Sequence, residues 1–196
     1  SEPGDVYSDL FATGNQNRSS GNKEAIWNIQ FEPRSTPGGT AAGSRWYGCS
    51  WLRAWGPKWY NINDPDGNNG MLLNQDSLGR GVAWVRPTSY FNYYIWANSN
   101  GDMRNSRHNI RREFYYNNPE SPYYGQKVDT SIVQVDTMEQ FYPMIRKIEG
   151  EAEQTEGATY GRSFDDVYLM RLAETYLLRA EAYFLNGQSQ EAANDI

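Results

Sequence analysis

Cysteine and histidine are almost missing from this chain: each occurs once among 196 residues, as Cys49 and His108. A lone cysteine excludes an intramolecular disulfide and reads as a small buried residue. One histidine excludes a two-histidine metal site. Any Ser/His/Asp triad would have to use His108, and no nucleophile-elbow glycine motif accompanies it. No motif calls for a cofactor. Long apolar runs are absent too, so nothing here is of transmembrane length, and no apolar segment precedes Cys49 to make it a lipidation site. Basic residues are outnumbered, with 18 Lys and Arg against 24 Asp and Glu and a formal charge of −6. That sign argues against nucleic acid as the main partner. The local run Arg104, Arg107, Arg111 and Arg112 reads as a solvated face or an internal ion-pair network.

Aromatic rings fill the place that aliphatic side chains usually take. Hydrophobic residues make up 38% of the chain and aromatics 15%, with 7 Trp and 15 Tyr. They are densest from Arg45 to Tyr60, where Trp46, Tyr47, Trp51, Trp55 and Trp59 crowd together. Trp51, Trp55 and Trp59 recur at four-residue steps, which on a helix places them on one face and in a loop can make a platform. A sugar presents an apolar C–H face edged by hydroxyls, so an indole or phenol face matches it while neighbouring polar groups meet the hydroxyls. Asn61 and Asp64 stand close by for that second task, with Arg45, Arg53 and Asn63. The competing reading is that these rings are core. At least one or two exposed rings are expected, because a loop this rich in Trp exceeds what packing requires. Tyr90, Tyr93, Tyr94 and Trp96 read as packing residues, and the pairs Tyr115–Tyr116 and Tyr123–Tyr124 as secondary contacts.

Asn63–Gly70 imitates a calcium loop through Asp64, Asp66 and Asn68. Asn69 replaces its turn glycine and Gln75 its bidentate glutamate, so it reads as a plain turn. Carboxylate pairs for glycoside hydrolysis can be drawn from Asp64, Asp66, Asp102, Glu113, Asp165 and Asp166, but carboxylates are too common for that to identify an enzyme.

Regular structure is sparse in the pattern. Glu24–Phe31 alternates as a half-buried strand does. Thr88 caps a short helix through Trp96 behind Pro87. Pro143 interrupts any helix across Thr137–Glu149. Leu169, Leu172, Ala173, Tyr176, Leu177, Ala180, Tyr183 and Phe184 fall on one helical stripe. The spacing predicts a helix from about Asp166, capped by Ser163, carrying an Arg171–Glu174 pair, and stopped at Gly187. Ser189 then caps a second helix. Such a hairpin is tetratricopeptide-like and needs stacked neighbours, so the chain reads as an interior piece of a larger protein. Residues 1–160 form its loop-rich part, and 161–196 a truncated helical hairpin.

The run Tyr168–Gly187, with its Arg-Leu-Ala-Glu-Thr-Tyr-Leu-Leu-Arg-Ala-Glu-Ala core, resembles the signature helix of the SusD/RagB family. Asn22–Phe31, Arg86–Phe91, Asp102-Met-Arg104 and Tyr142–Lys147 agree with that family in order and rough spacing. The resemblance implies a mainly α fold: a tetratricopeptide-like superhelical scaffold with long irregular aromatic-rich loops and minor strand content. It implies a non-catalytic surface lipoprotein of the outer membrane, held by an N-terminal lipid anchor outside this sequence. Such a protein binds oligosaccharide or polysaccharide for a TonB-dependent (SusC-like) transporter, through an arc of aromatics carried on loops. The alternatives are a protein-interaction scaffold of helical repeats and a glycoside hydrolase.

Overall fold

A computed structural model describes residues 4–31, 48–73, 78–99, 101–150, 163 and 165–196. Within them, coil and short helices predominate and strands are minor. The N-terminal segment holds a single-turn helix, α1 (Val6–Asp9), closed by a capping box between Asp5 and Ser8. Strand β1 (Ala25–Ile29) follows, then helices α2 (Trp51–Trp55) and α3 (Ser89–Asn92). Thr88 caps α3 through the Phe91 amide, as its position predicts. Strands β2 (Ile110–Arg111) and β3 (Met144–Ile145) pair antiparallel, and β3 follows Pro143 where no helix can run. Strand β4 (Val167–Arg171) leads without a loop into α4 (Leu172–Leu185), and α5 (Ser189–Asn194) closes the hairpin.

The start of the long helix differs from expectation. Val167–Arg171 is strand, paired antiparallel with β1, because β1 offers it a ladder that a free helix end lacks. Asp165 and Asp166 therefore serve no helix dipole. Asp165 accepts from the Thr13 hydroxyl at 2.7 Å, and Asp166 accepts from the Phe31 amide at 3.0 Å. Ser163 is buried in a bridge to Cys49, which is itself buried. The cap of α4 comes from across the sheet. The Glu24 carbonyl accepts from the Leu172 amide at 2.8 Å, and its carboxylate from the Ala173 amide at 3.4 Å. An acid there also suits the positive end of the helix dipole. Arg171, expected to pair with Glu174, lies instead over the rings of Phe11 and Tyr7, at 5.4 and 6.0 Å.

At the other end Gly187 takes φ 76°. The Gln188 amide reaches Tyr183 O and the Gly187 amide reaches Phe184 O, the double bond of a Schellman stop. Ser189 is the first residue of α5 rather than its cap, and makes no side-chain capping bond. Ala180 and Ala192 are the buried residues of α4 and α5, and Arg179 grips Asp195 at 2.6 Å. Tyr176, Leu177, Leu178, Phe184 and Leu185 remain exposed.

The core lies elsewhere, among the loops. Leu52, Trp59, Ile62, Met71, Leu78, Phe114, Tyr116, Val128, Val133 and Met144 form one cluster. Backbone buried in a loop needs partners that no ladder supplies, and here asparagine and aspartate supply them. Asn117 accepts from the Leu72 amide and returns a bond to its carbonyl. Asn118 donates to Asn69 O at 2.6 Å. Asp64 accepts from the Asp66 and Asn68 amides and from the Ser121 hydroxyl. That makes Asn63–Gly70 the plain turn its sequence announces.

Candidate functional site

Helix α2 carries Trp51 and Trp55, which at i and i+4 share one face. They are 49% and 37% exposed, whereas Trp59 is 0% exposed. The four-residue repeat breaks because Gly56 ends the helix with extended backbone and Pro57 follows it. Trp59 then opens a 3-10 turn facing the core, edge-on to Tyr60 at 5.8 Å. A ring so enclosed presents no face to a ligand, so Trp59 leaves the expected platform and belongs to packing.

A ring that the sequence reading did not single out takes its place. Residues 82–85 run beside α2, with Val82 N bonded to Arg53 O, Ala83 N to Gly56 O and Val85 N to Ala54 O. The approach requires glycine at 81, where a Cβ would lie 2.3 Å from the carbonyls of Gly56 and Pro57. Ala83 sits at φ 54°, a left-handed conformation that costs a non-glycine residue roughly 1–2 kcal/mol. This strained residue immediately precedes Trp84, which is 61% exposed. The Arg53 guanidinium covers the Trp84 ring at 5.5 Å. From behind, the Tyr142 hydroxyl donates to Trp55 O at 2.9 Å. Burial raises the pKa of that phenol far above its ordinary value, so it stays a neutral donor.

Asn61 and Asp64 do not join this aromatic surface. They line a polar cleft of about 460 Å³ with Asn63, Gln134, Asp136 and Gln140. Asn61 is exposed, while Asp64 is buried and already committed to its turn. Trp46 and Tyr47 lie outside the described residues. Tyr90, Tyr93 and Tyr94, read as packing, are exposed instead; α3 is only one turn long and buries Asn92 alone. The tyrosine pairs split: Tyr116 is buried and Tyr115 exposed, Tyr124 is exposed and Tyr123 half-buried. Among the described residues no group of three or more His, Cys, Asp or Glu side chains could hold a metal ion.

The arrangement suits a ligand with flat apolar faces and hydroxyl edges. Two indoles stand on one helix, a third stands under an arginine beside it, and an amide-rich cleft opens elsewhere on the surface. Comparison with known proteins bears on what that ligand is. The model of the SusD family matches residues 23–196. Neither a curated protein nor a solved structure matches the chain.

Proposed function

Since the chain belongs to the SusD family, whose members bind carbohydrate for nutrient uptake, we propose that it binds an oligosaccharide or polysaccharide without cleaving it. The ligand then passes to a TonB-dependent transporter. In this reading the protein sits on the outer face of the outer membrane, held by a lipid anchor. Residues 1–160 face the ligand, and the α4–α5 hairpin within 161–196 belongs to a stack of tetratricopeptide-like repeats.

The observation that carries the proposal is the exposure of Trp51 and Trp55 on one face of α2, with Trp84 fixed at the same helix. Ring stacking is worth about 0.5–1.5 kcal/mol beyond area burial, so several rings are needed for useful retention and each single site is weak. Arg53 already lies on Trp84 and places a guanidinium charge at that ring. Affinity electrophoresis through gels containing a panel of polysaccharides tests the proposal. The triple variant Trp51→Ala, Trp55→Ala, Trp84→Ala should migrate as if no polysaccharide were present, with unchanged far-UV circular dichroism. Retention equal to that of the parent protein would sink the aromatic surface. New reducing ends after incubation would replace binding by glycosidase activity.

A second reading, a scaffold gripping another protein, is favoured by one observation: Leu177, Leu178, Phe184 and Leu185 of α4 are all exposed.

A further inference from the structure

The polar cleft of about 460 Å³ is mounted on the core. Ile62 and Val133 belong to the buried cluster. Their neighbours in sequence face the other way: Asn61 and Asn63 flank Ile62, Ile132 and Gln134 flank Val133, and all four are exposed and line the cleft. Each anchored apolar residue thus fixes the backbone from which two outward side chains rise, the support a binding site needs. Asp64 holds the same stretch from beyond, through its bonds to the Asp66 and Asn68 amides and the Ser121 hydroxyl.

The opposite wall is the turn from Asp136 to Gln140, both of which line the cleft. It is closed by the Gln140 amide on Asp136 O at 2.6 Å and by the Asp136 amide on Gln140 Oε1 at 2.9 Å. Arg86 donates to Thr137 O at 3.2 Å, and the Lys58 amide to Glu139 O at 2.7 Å. Arg86 stands two residues after Trp84 and Lys58 three after Trp55. The segments that carry the exposed rings therefore also brace the wall of the cleft. Asn61 follows Trp55 by six residues, at most about 20 Å of extended chain, so one oligosaccharide can reach from the rings to the cleft.

We propose that this cleft is a second subsite, which takes an uncharged sugar unit of the glycan held on the aromatic surface. The inference rests on the carbohydrate reading above and names the class of sugar. Among the described residues none hydrogen-bonds the side chains of Asn61, Asn63 or Gln134, so their amides are unspent. Each offers two donors and an oxygen acceptor, and a sugar hydroxyl both donates and accepts. Neutral amides carry no charge for an anion to pair with, which favours hydroxyls over acidic groups. Pro65 and Ile132 supply an apolar wall for the C–H face of the ring. The volume falls within the ~300–1,000 Å³ of small-molecule sites.

Nuclear magnetic resonance titration with the methyl glycosides of glucose, galactose, mannose and xylose tests it, with sorbitol as the open-chain control. At least one glycoside should shift the side-chain amide resonances of Asn61, Asn63 and Gln134 saturably, and sorbitol should not. Followed at Asn63, the apparent Kd should rise several-fold in Asn61→Ala and in Gln134→Ala. Both side chains are exposed and unbonded, so neither variant threatens the fold. No saturable shift with any glycoside, an equal shift with sorbitol, or indifference to both variants would overturn the proposal. The indole resonances of Trp51, Trp55 and Trp84 report on the aromatic surface in the same titration. Shifts there alone would remove the cleft and keep that surface; shifts in the cleft amides alone would do the reverse.

Discussion

Trp59 and Trp51 are the same residue type, eight positions apart, in opposite roles. Trp59 sits in the core with Leu52, Ile62 and Met144, so Trp59→Ala should cost about 3–5 kcal/mol. Trp51→Ala removes a half-covered ring and should cost well under 1 kcal/mol. Urea unfolding of the two variants checks this, and comparable losses would contradict the assignment. A four-residue spacing in the sequence cannot separate the two roles. It assumes a helix that continues, and Gly56-Pro57 ends it one turn early. Trp84 was illegible for a related reason. Its neighbours in sequence are Val82, Ala83 and Val85, and only the close passage at Gly81 reveals that it belongs with α2. The turn at Asp64 was legible because its Asx bonding is local and needs no tertiary partner.

At the scale of elements, several local signals survived, though the Ser189 cap and the Arg171–Glu174 pair did not, and non-local ones were hidden. The Thr88 cap, the break at Pro143 and the stop at Gly187 each depend on a few adjacent residues, and each stands where the sequence put it. The strand β4 was hidden under a helical period, because Val167–Arg171 satisfies both patterns and β1 decides between them. Partnering also explains the uneven burial of β1: its ladder shifts register around Trp27, leaving Trp27 and Ile29 exposed where clean alternation was expected. Gly187 carries a prediction of its own. Nothing lies within 4 Å of a Cβ built there, so Gly187→Ala is opposed by backbone conformation alone. Destabilisation of about 1–2 kcal/mol should follow. Amide hydrogen exchange should show it in Ser189–Asn194 before the loop core is affected, and unchanged protection of α5 would refute it.

Across the whole molecule, the N-terminal segment is tied to the body by Asp5. Its carboxylate accepts from the Ser106 hydroxyl at 2.7 Å and from the Asn109 amide at 2.9 and 3.1 Å, besides capping α1. Burial pushes the Asp5 pKa up, but bonds from Ser106, the Ser8 amide, Asn109 and the Ser8 hydroxyl outweigh it and hold it near 2, against 3.8 when free. A depressed folded pKa means the tie contributes fully above about pH 4 and fades as pH falls toward 2. Tyr7 and Phe11 fluorescence is masked by the tryptophans, so the readout is the Asn109 side-chain amide resonance. It should titrate through that window in the parent protein and be flat in Asp5→Asn. A titration unchanged by the substitution would dissociate Asp5 from the tie.

The direct passage from β4 into α4 has a mechanical consequence. With no loop between Arg171 and Leu172, and with Glu24, just before the opposite strand, bonded to the first helical amides, strand and helix turn as one piece. A helix of 14 residues spans ~21 Å, so a tilt of roughly 10° at the sheet swings its far end by about 4 Å. Small adjustments of the irregular ladder at Trp27 are thus magnified along a lever arm whose tip bears Phe184 and Leu185.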